Sequence, residues 1–364
     1  MVSLIFGVFV AGISDKCSSK GVTRFTELLS NWSGAQGYCI ILVLHLQTTI
    51  ACEKVFGLFF SVSTFFNSQV KKISELSEGY NIVGLSQGTL YKKFPLANVD
   101  SLRDLKAIPC LSSAEIALHS VISYGGLHLS YDEGSLVGRG VVEFCDGGPP
   151  VKNFISLAGP HAGEASIPFC GSTLLCILVD ELVKLEVYSN YVQEHLAPAG
   201  YIKIPTDIKA YLKGCRFLPK LNNELVNHKN STYKERFASL QNVVLIMFEQ
   251  DTVLIPKETS WFGYYPDGSW STVLPPKETK LYTEDWIGLK TLDEAGKVKF
   301  VNVSGNHLDI SLDDVETYIV PYLEDDTSTH QTLMESSHMQ PSSVRNFQKL
   351  VGLTGERLRL HTSN

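Results

Sequence analysis

The sequence lacks the marks of a metal centre or a nucleic-acid surface. Its 8 cysteines contain no C-x-x-C pair and no Cys/His cluster with structural-zinc spacing, which excludes a zinc-stapled fold on motif grounds. Charged residues make up only 19% of the chain, the formal charge is −7 and no long basic run occurs, so phosphate backbones find no electrostatic footprint. A basic amphipathic helix is missing too, and with it an obvious partner in an anionic membrane surface. The apolar runs Cys39–Leu46 and Phe56–Phe66 are too short to span a bilayer, so no stable transmembrane anchor is expected. Met1-Val2 puts no positive charge ahead of the apolar stretch Ser3–Ile13. That stretch reads as a buried first strand rather than a clear signal peptide. No internal repeat is visible.

What the chain does have is enough apolar material for a sizeable core, 44% of 364 residues. Strands are expected at Val2–Val10, Ile40–Leu44, Asn81–Leu85, Val151–Ala158, Asn242–Phe248 and Lys297–Val303. Helical stretches fall at Val22–Leu29 and Cys176–Leu196, with another beginning near Ser135. Asn242–Phe248 is almost continuously apolar, as a strand covered on both faces should be. Strands alternating with helices predict a mostly parallel central sheet with helices on both faces. Two segments fit that plan badly, Phe56–Val70 and Thr89–Gly134. The expected organisation is one α/β domain over 1–323, interrupted at 56–70 and 89–134. A polar Ser/Thr-rich tail over 324–364 reads as disordered.

Gly84-Leu85-Ser86-Gln87-Gly88 matches G-x-S-x-G directly after a strand, the context a nucleophile elbow requires. A serine hydroxyl is a weak nucleophile at neutral pH and needs a base, which in turn needs an orienting carboxylate. In the α/β-hydrolase order the acid and then the histidine follow at the carboxyl ends of later strands. Asp251 stands three residues after one such strand, with Glu249 as its rival, and His307 follows the last strand. His161 also follows a strand but precedes every candidate acid, so it reads as structural support near the site. Two backbone donors must meet the developing oxyanion. The N–H of Gln87 is one, and that of Ile13, in the loop after the first strand, is the candidate for the other. This chemistry is acyl transfer to water through a serine ester, and it needs no metal and no cofactor.

Cys170 and Cys176 are close enough to close a small disulfide loop, buried thiols being the alternative. Sequons at Asn31, Asn230 and Asn302, together with the cysteines, point to an oxidising, secretory-route compartment.

Several stretches resemble palmitoyl-protein thioesterases. They are Gly12-Ile13-Ser14-Asp15-Lys16-Cys17, Tyr80–Gly88, Tyr233-Lys234-Glu235, Trp261-Phe262-Gly263-Tyr264-Tyr265, Leu281-Tyr282-Thr283-Glu284-Asp285 and Gly305-Asn306-His307-Leu308. The likeness runs from about Gly12 to Leu323 outside the two interrupting segments. It implies an α/β-hydrolase fold and hydrolysis of long-chain acyl (palmitoyl) thioesters on cysteines of S-palmitoylated proteins. It also implies a lysosomal or vacuolar glycoprotein. By the same resemblance Ser86, Asp251 and His307 are the triad, Ile13 and Gln87 the oxyanion donors, and Val253 and Leu254 line an acyl groove. Disulfides Cys52–Cys145 and Cys170–Cys176 and a glycan on Asn230 are implied as well. Members usually carry His-Gly in the oxyanion loop, where this chain has Ala11-Gly12. In the family the elbow also runs straight into the helix that begins here near Ser135. Two other readings stay open: a catalytically impaired or non-catalytic member disrupted by 89–134, and a lipase-like carboxylic esterase.

Overall fold

The computed structural model describes residues 6–11, 20–41, 67–68, 70–85, 134–165, 186–195, 197–324 and 357–359. Six strands form one sheet: β1 (Phe6–Ala11), β2 (Gly37–Ile41), β3 (Tyr80–Leu85), β4 (Val151–Leu157), β5 (Asn242–Phe248) and β6 (Val298–Val303). Their order is β2-β1-β3-β4-β5-β6 and every neighbouring pair is parallel. The expected α/β-hydrolase fold agrees with this sheet. The six expected strands all form, with ends moved by a few residues. The expected helix at Val22–Leu29 lengthens to α1 (Lys20–Ser33), and the one near Ser135 becomes α2 (Gly134–Phe144). Two further helices matter below, α3 (Ser231–Ala238) and α4 (Leu312–Tyr318). Of the helix expected over Cys176–Leu196, the described part contains Asn190–His195.

Side chains of a strand alternate between sheet faces, and here both faces are buried. Tyr80, Ile82, Phe154, Val243 and Leu245 enter one core with Leu136, Val137 and Val141 of α2 and Phe237 of α3. Val83, Leu85, Ile155, Leu157, Val244, Ile246 and Phe248 enter the other, with Phe25 and Leu29 of α1 and Leu312 and Val315 of α4. That division explains the unbroken apolar reading of β5. It also places the chain's reversal. The helix after β1 lies on one face and the helix after β3 on the other, so β1 and β3 flank the topological switch point. Ligand crevices of open parallel sheets lie there, outside the carboxyl ends of the strands.

The register slips between Tyr80 and Ile82 where β3 meets β4. A slipped register strands backbone groups, and a row of asparagines meets the need. Asn81 Oδ1 accepts from the backbone N–H of Asn153 (3.2 Å) and from its Nδ2 (3.0 Å), and Asn153 Oδ1 accepts from Asn242 Nδ2 (2.9 Å).

One cation is sealed inside the first core. Arg139 on α2 is fully buried and pairs with Glu143 one turn on, Nη2 to Oε1 at 2.8 Å. Its guanidinium also donates to Asn222 Oδ1 (2.9 Å) and the Leu221 carbonyl (3.3 Å), and lies 4.9 Å from the ring centroid of Phe262 and 5.5 Å from that of Phe237. Burial pushes the Glu143 carboxyl up to about 7 against the pull of Arg139. Beside them His161 is buried and stacks on Phe262 at 4.8 Å, and its Nε2 is 2.8 Å from Ser156 Oγ. Burial first, and Arg139 second, hold the His161 imidazole well below its ordinary 6.5. It is a neutral packing element, in keeping with its reading as structural support.

The segment 324–364 is not without structure throughout. Arg357–Arg359 form β8, antiparallel to β7 (Asp309–Ser311), and Leu358 is buried in the second core with Leu308 and Ile310. One apolar side chain joins that core, beside an arginine that pairs with Asp309. In the segment 56–70 the described residues include Val70, buried in the first core, and Asn67, whose Nδ2 donates to the Asp146 carbonyl (3.3 Å).

Removing one member of a buried ion pair strands the other. Arg139→Ala is therefore expected to cost about 3–5 kcal/mol in urea unfolding, more than the paired replacement of Arg139 and Glu143 by Met and Leu. The His161 contribution has a definite sign. Below pH 6.5 the unfolded chain takes up a proton that the folded chain refuses, so stability is fully present above 6.5 and lost as pH falls. Melting temperatures at pH 7.5 and 5.0 should differ less in His161→Phe than in the parent chain.

Candidate active site

The carboxyl ends of β5 and β6 are zipped past the sheet. Glu249 N–H donates to the Val303 carbonyl (2.9 Å) and Gln250 N–H to the Gly305 carbonyl (3.0 Å). The Gln250 side-chain oxygen accepts from the Gly305 N–H. The two loops are thereby held side by side, and Asp251, one residue past Gln250, faces His307, two residues past Gly305. Their contact, His307 Nδ1 to Asp251 Oδ2, is 2.7 Å.

The carboxylate divides its oxygens between two tasks. Oδ2 meets the imidazole, while Oδ1 accepts from the backbone N–H groups of Val253 (2.8 Å) and Leu254 (3.1 Å). Its side chain is fully buried, so both oxygens are committed and its rotamer is locked. An anion bonded in this way fixes which imidazole nitrogen carries the proton: Nδ1 donates, and Nε2 is left as the basic nitrogen. Glu249 is disposed otherwise. It is exposed and accepts from Asn302 Nδ2 of β6 (3.0 Å). Of the two acids, Asp251 is the one that meets His307.

The histidine loop is built on unusual backbone. Gly305 has φ +140° and Leu308, buried, has φ +57°, a left-handed conformation that leucine adopts only when its surroundings require it.

The third position stands at the end of β3. Gly84 lies against the start of α2: a Cβ there would sit 2.6 Å from Ser135 Cα, and Ser135 Oγ donates to the Gly84 carbonyl (3.0 Å). Strand and helix backbones therefore meet as an elbow requires, although α2 begins 48 positions after Ser86 in sequence. Ser86, Gln87 and Ile13 lie outside the described residues. They follow directly on Leu85 and closely on Ala11, the ends of the two strands that flank the switch point.

The remaining expected residues fall variously. Val253 and Leu254 are buried behind Asp251, and Leu254 belongs to the second core. Cys52, Cys170 and Cys176 lie outside the described residues. The pairing Cys52–Cys145 is corrected: Cys145 is a thiol, pushed up to about 11 chiefly by burial, whereas Cys39 is disulfide-bonded. Cysteine types cannot reveal pairing, which depends on which Cβ atoms end up within bridging distance. Asn31 is exposed on α1, Asn302 is exposed on β6, and Asn230 caps α3 by accepting from the Thr232 N–H (2.9 Å). Among the described residues no group of His, Cys, Asp and Glu could hold a metal, and no helix is long and apolar enough to cross a membrane.

Sequence reading missed Gln250 and Arg139. Gln250 gave no signal. Arg139 gave one: an Arg–Glu pair at i, i+4 inside an otherwise apolar helix, a pattern that fits a buried ion pair better than a solvated face.

A Cβ on Gly305 would run into the Asp309 carbonyl and the Arg357 guanidinium. Gly305→Ala should therefore displace His307, weaken the downfield Nδ1 proton resonance of the Asp251 contact and destabilise the fold by about 1–3 kcal/mol.

A family model described as palmitoyl protein thioesterase matches residues 125–307. Palmitoyl-protein thioesterase 1 of Caenorhabditis elegans is 42% identical over 183 residues, 50% of this chain and 60% of that one. Palmitoyl-protein thioesterase 3 of Dictyostelium discoideum is 36% identical over 201 residues, 54% of this chain and 68% of that one. The Lysosomal thioesterase PPT2 homolog of Drosophila melanogaster is 31% identical over 206 residues, 55% and 69%. The chain thus spans about 60% of the length of the first of these relatives. The matched region contains α2 and the acid loop and ends at His307, and on that evidence the chain belongs to the palmitoyl-protein thioesterase family.

Proposed function

We propose that this chain is a serine thioesterase that removes long-chain acyl groups, palmitoyl among them, from cysteines of S-acylated proteins. The observation that carries the proposal is the 2.7 Å contact between His307 and the fully buried Asp251, at the same sheet edge where β3 ends one residue before Ser86. The names of its relatives supply the substrate class.

In this mechanism Ser86 Oγ attacks the thioester carbonyl carbon and His307 Nε2 takes its proton. Asp251 does not gain that proton. It keeps the ring oriented and stabilises the imidazolium as it forms. The carbonyl oxygen becomes an oxyanion received by the N–H groups of Gln87 and Ile13. Collapse breaks the C–S bond, the leaving cysteine sulfur takes the proton from His307, and the acyl group stays on Ser86. Water then attacks the acyl carbon with His307 again as base, the C–Oγ bond to Ser86 breaks, Oγ takes the proton back from His307, and the fatty acid departs. Val253 and Leu254, apolar and next to the acid, would border the acyl chain. The relatives named lysosomal thioesterases support a lysosomal setting. Cys39, already disulfide-bonded, fits that oxidising route.

A non-catalytic reading has one observation in its favour: the helix that should continue the elbow begins only at Gly134. A fluorophosphonate probe separates the two readings, since labelling that vanishes in Ser86→Ala requires an activated serine. Turnover of a palmitoyl thioester reporter should fall at least about 1,000-fold in Ser86→Ala, His307→Ala and Asp251→Asn. Equal rates in parent and Ser86→Ala would remove the assignment. Matched palmitoyl oxygen and sulfur esters tell a thioesterase from a carboxylic esterase.

A further inference from the structure

The histidine loop is also held from its outer side, by a residue far along the chain. Arg357 of β8 donates through Nε to the Asp309 carboxylate (3.1 Å) and through Nη2 to the Asp309 carbonyl (2.8 Å). Nη2 also donates to the Ser304 carbonyl. Ser304 and Asp309 bracket the residues Gly305 to Leu308 that present His307. One planar guanidinium therefore ties both ends of that loop, with Nη2 on the two carbonyls and Nε on the carboxylate, a fixed pair of donors that a single ammonium nitrogen does not reproduce. The arginine does not hang loose. β8 pairs with β7 in the register Asp309↔Arg359, Ile310↔Leu358 and Ser311↔Arg357, and Leu358 is buried beside Leu308 and Ile310.

We infer that Arg357–Arg359 is a clasp that positions the catalytic histidine, with Arg357 as a positioning residue acting through the Ser304–Asp309 loop. The inference rests on the proposed role of His307 as base. The loop is gripped by Gln250 on its inner side and by Arg357 on its outer side. It needs both, because Leu308 in a left-handed conformation holds only when over-determined by its surroundings. The Asp251 contact sets the ring's hydrogen bond but not the height of the loop above the sheet edge. An error of about 1 Å there can cost on the order of 100-fold in rate.

The test uses the full chain and two readouts. Hydrogen exchange of the 304–309 peptide reports on the loop directly, and steady-state turnover of a palmitoyl thioester reports on the base. Arg357→Ala should speed exchange at 304–309 and lower kcat about tenfold, with KM changed by less than about twofold. Arg357→Lys keeps the charge opposite Asp309 but lacks the rigidly linked Nε and Nη2 donors, and should recover only part of the loss. The Arg357 side chain is 40% exposed, so its truncation should leave the core intact, and far-UV circular dichroism checks this. If Arg357→Ala unfolds the chain, Arg357→Lys alone decides between the outcomes. Unchanged exchange and unchanged kcat in a folded variant overturn the clasp. An inert parent chain would overturn the thioesterase reading, and the exchange readout would then still decide the clasp.

Discussion

The geometry of the site hangs on how the Asp251 carboxylate spends its two oxygens. One is tied to backbone amides two and three residues ahead, the other to an imidazole 56 positions away in sequence. Neither contact alone would hold the group, because a carboxylate with one committed oxygen can still rotate about its last torsion. With both committed and no exposure to water, the aspartate becomes a fixed anion at the carboxyl end of β5, and the ring it faces has one orientation available. Glu249, two residues earlier, is exposed, and its oxygens accept from the side chains of Asn302 and Gln250 rather than from backbone amides and an imidazole.

Everything around that contact keeps two loops at constant separation. The hydrogen bonds from Glu249 and Gln250 extend the β5–β6 pairing beyond the strands, so the loops inherit the rigidity of the sheet. The sheet in turn is stiffened on both faces, by an apolar core on each side and by a buried cation on one. Arg139 reaches from α2 to the turn at Leu221 and Asn222 and stacks on Phe262, beyond the acid loop. A desolvated guanidinium brings little net stability, but its fork of fixed donors specifies how those elements meet.

Neighbouring groups also set opposite demands on pH. A buried neutral His161 makes the fold weaker in acid. A buried Glu143 whose carboxyl titrates near 7 acts the other way, since the unfolded chain releases that proton before the folded chain does and stability is gained as pH falls from 7 towards 4.5. For a protein proposed to work in an acidic compartment, the two partly offset each other.

Much of this was legible in the residues. Six apolar strands alternating with helices, a G-x-S-x-G after the third, and a later acid and histidine each following a strand are short-range patterns, and short-range pattern is what periodicity and turn chemistry encode. The sequence by itself determined which side chains stood at strand ends and in what order. It ranked Asp251 above Glu249 but could not show what either carboxylate faces, because that depends on what the fold places opposite them. Nor could it pair the cysteines, or show that Leu358 in a polar tail finds a core and brings Arg357 over the histidine loop. Those are decisions of distance between residues remote in the chain. Only the packed sheet, by bringing β5, β6 and the tail together at one edge, makes them.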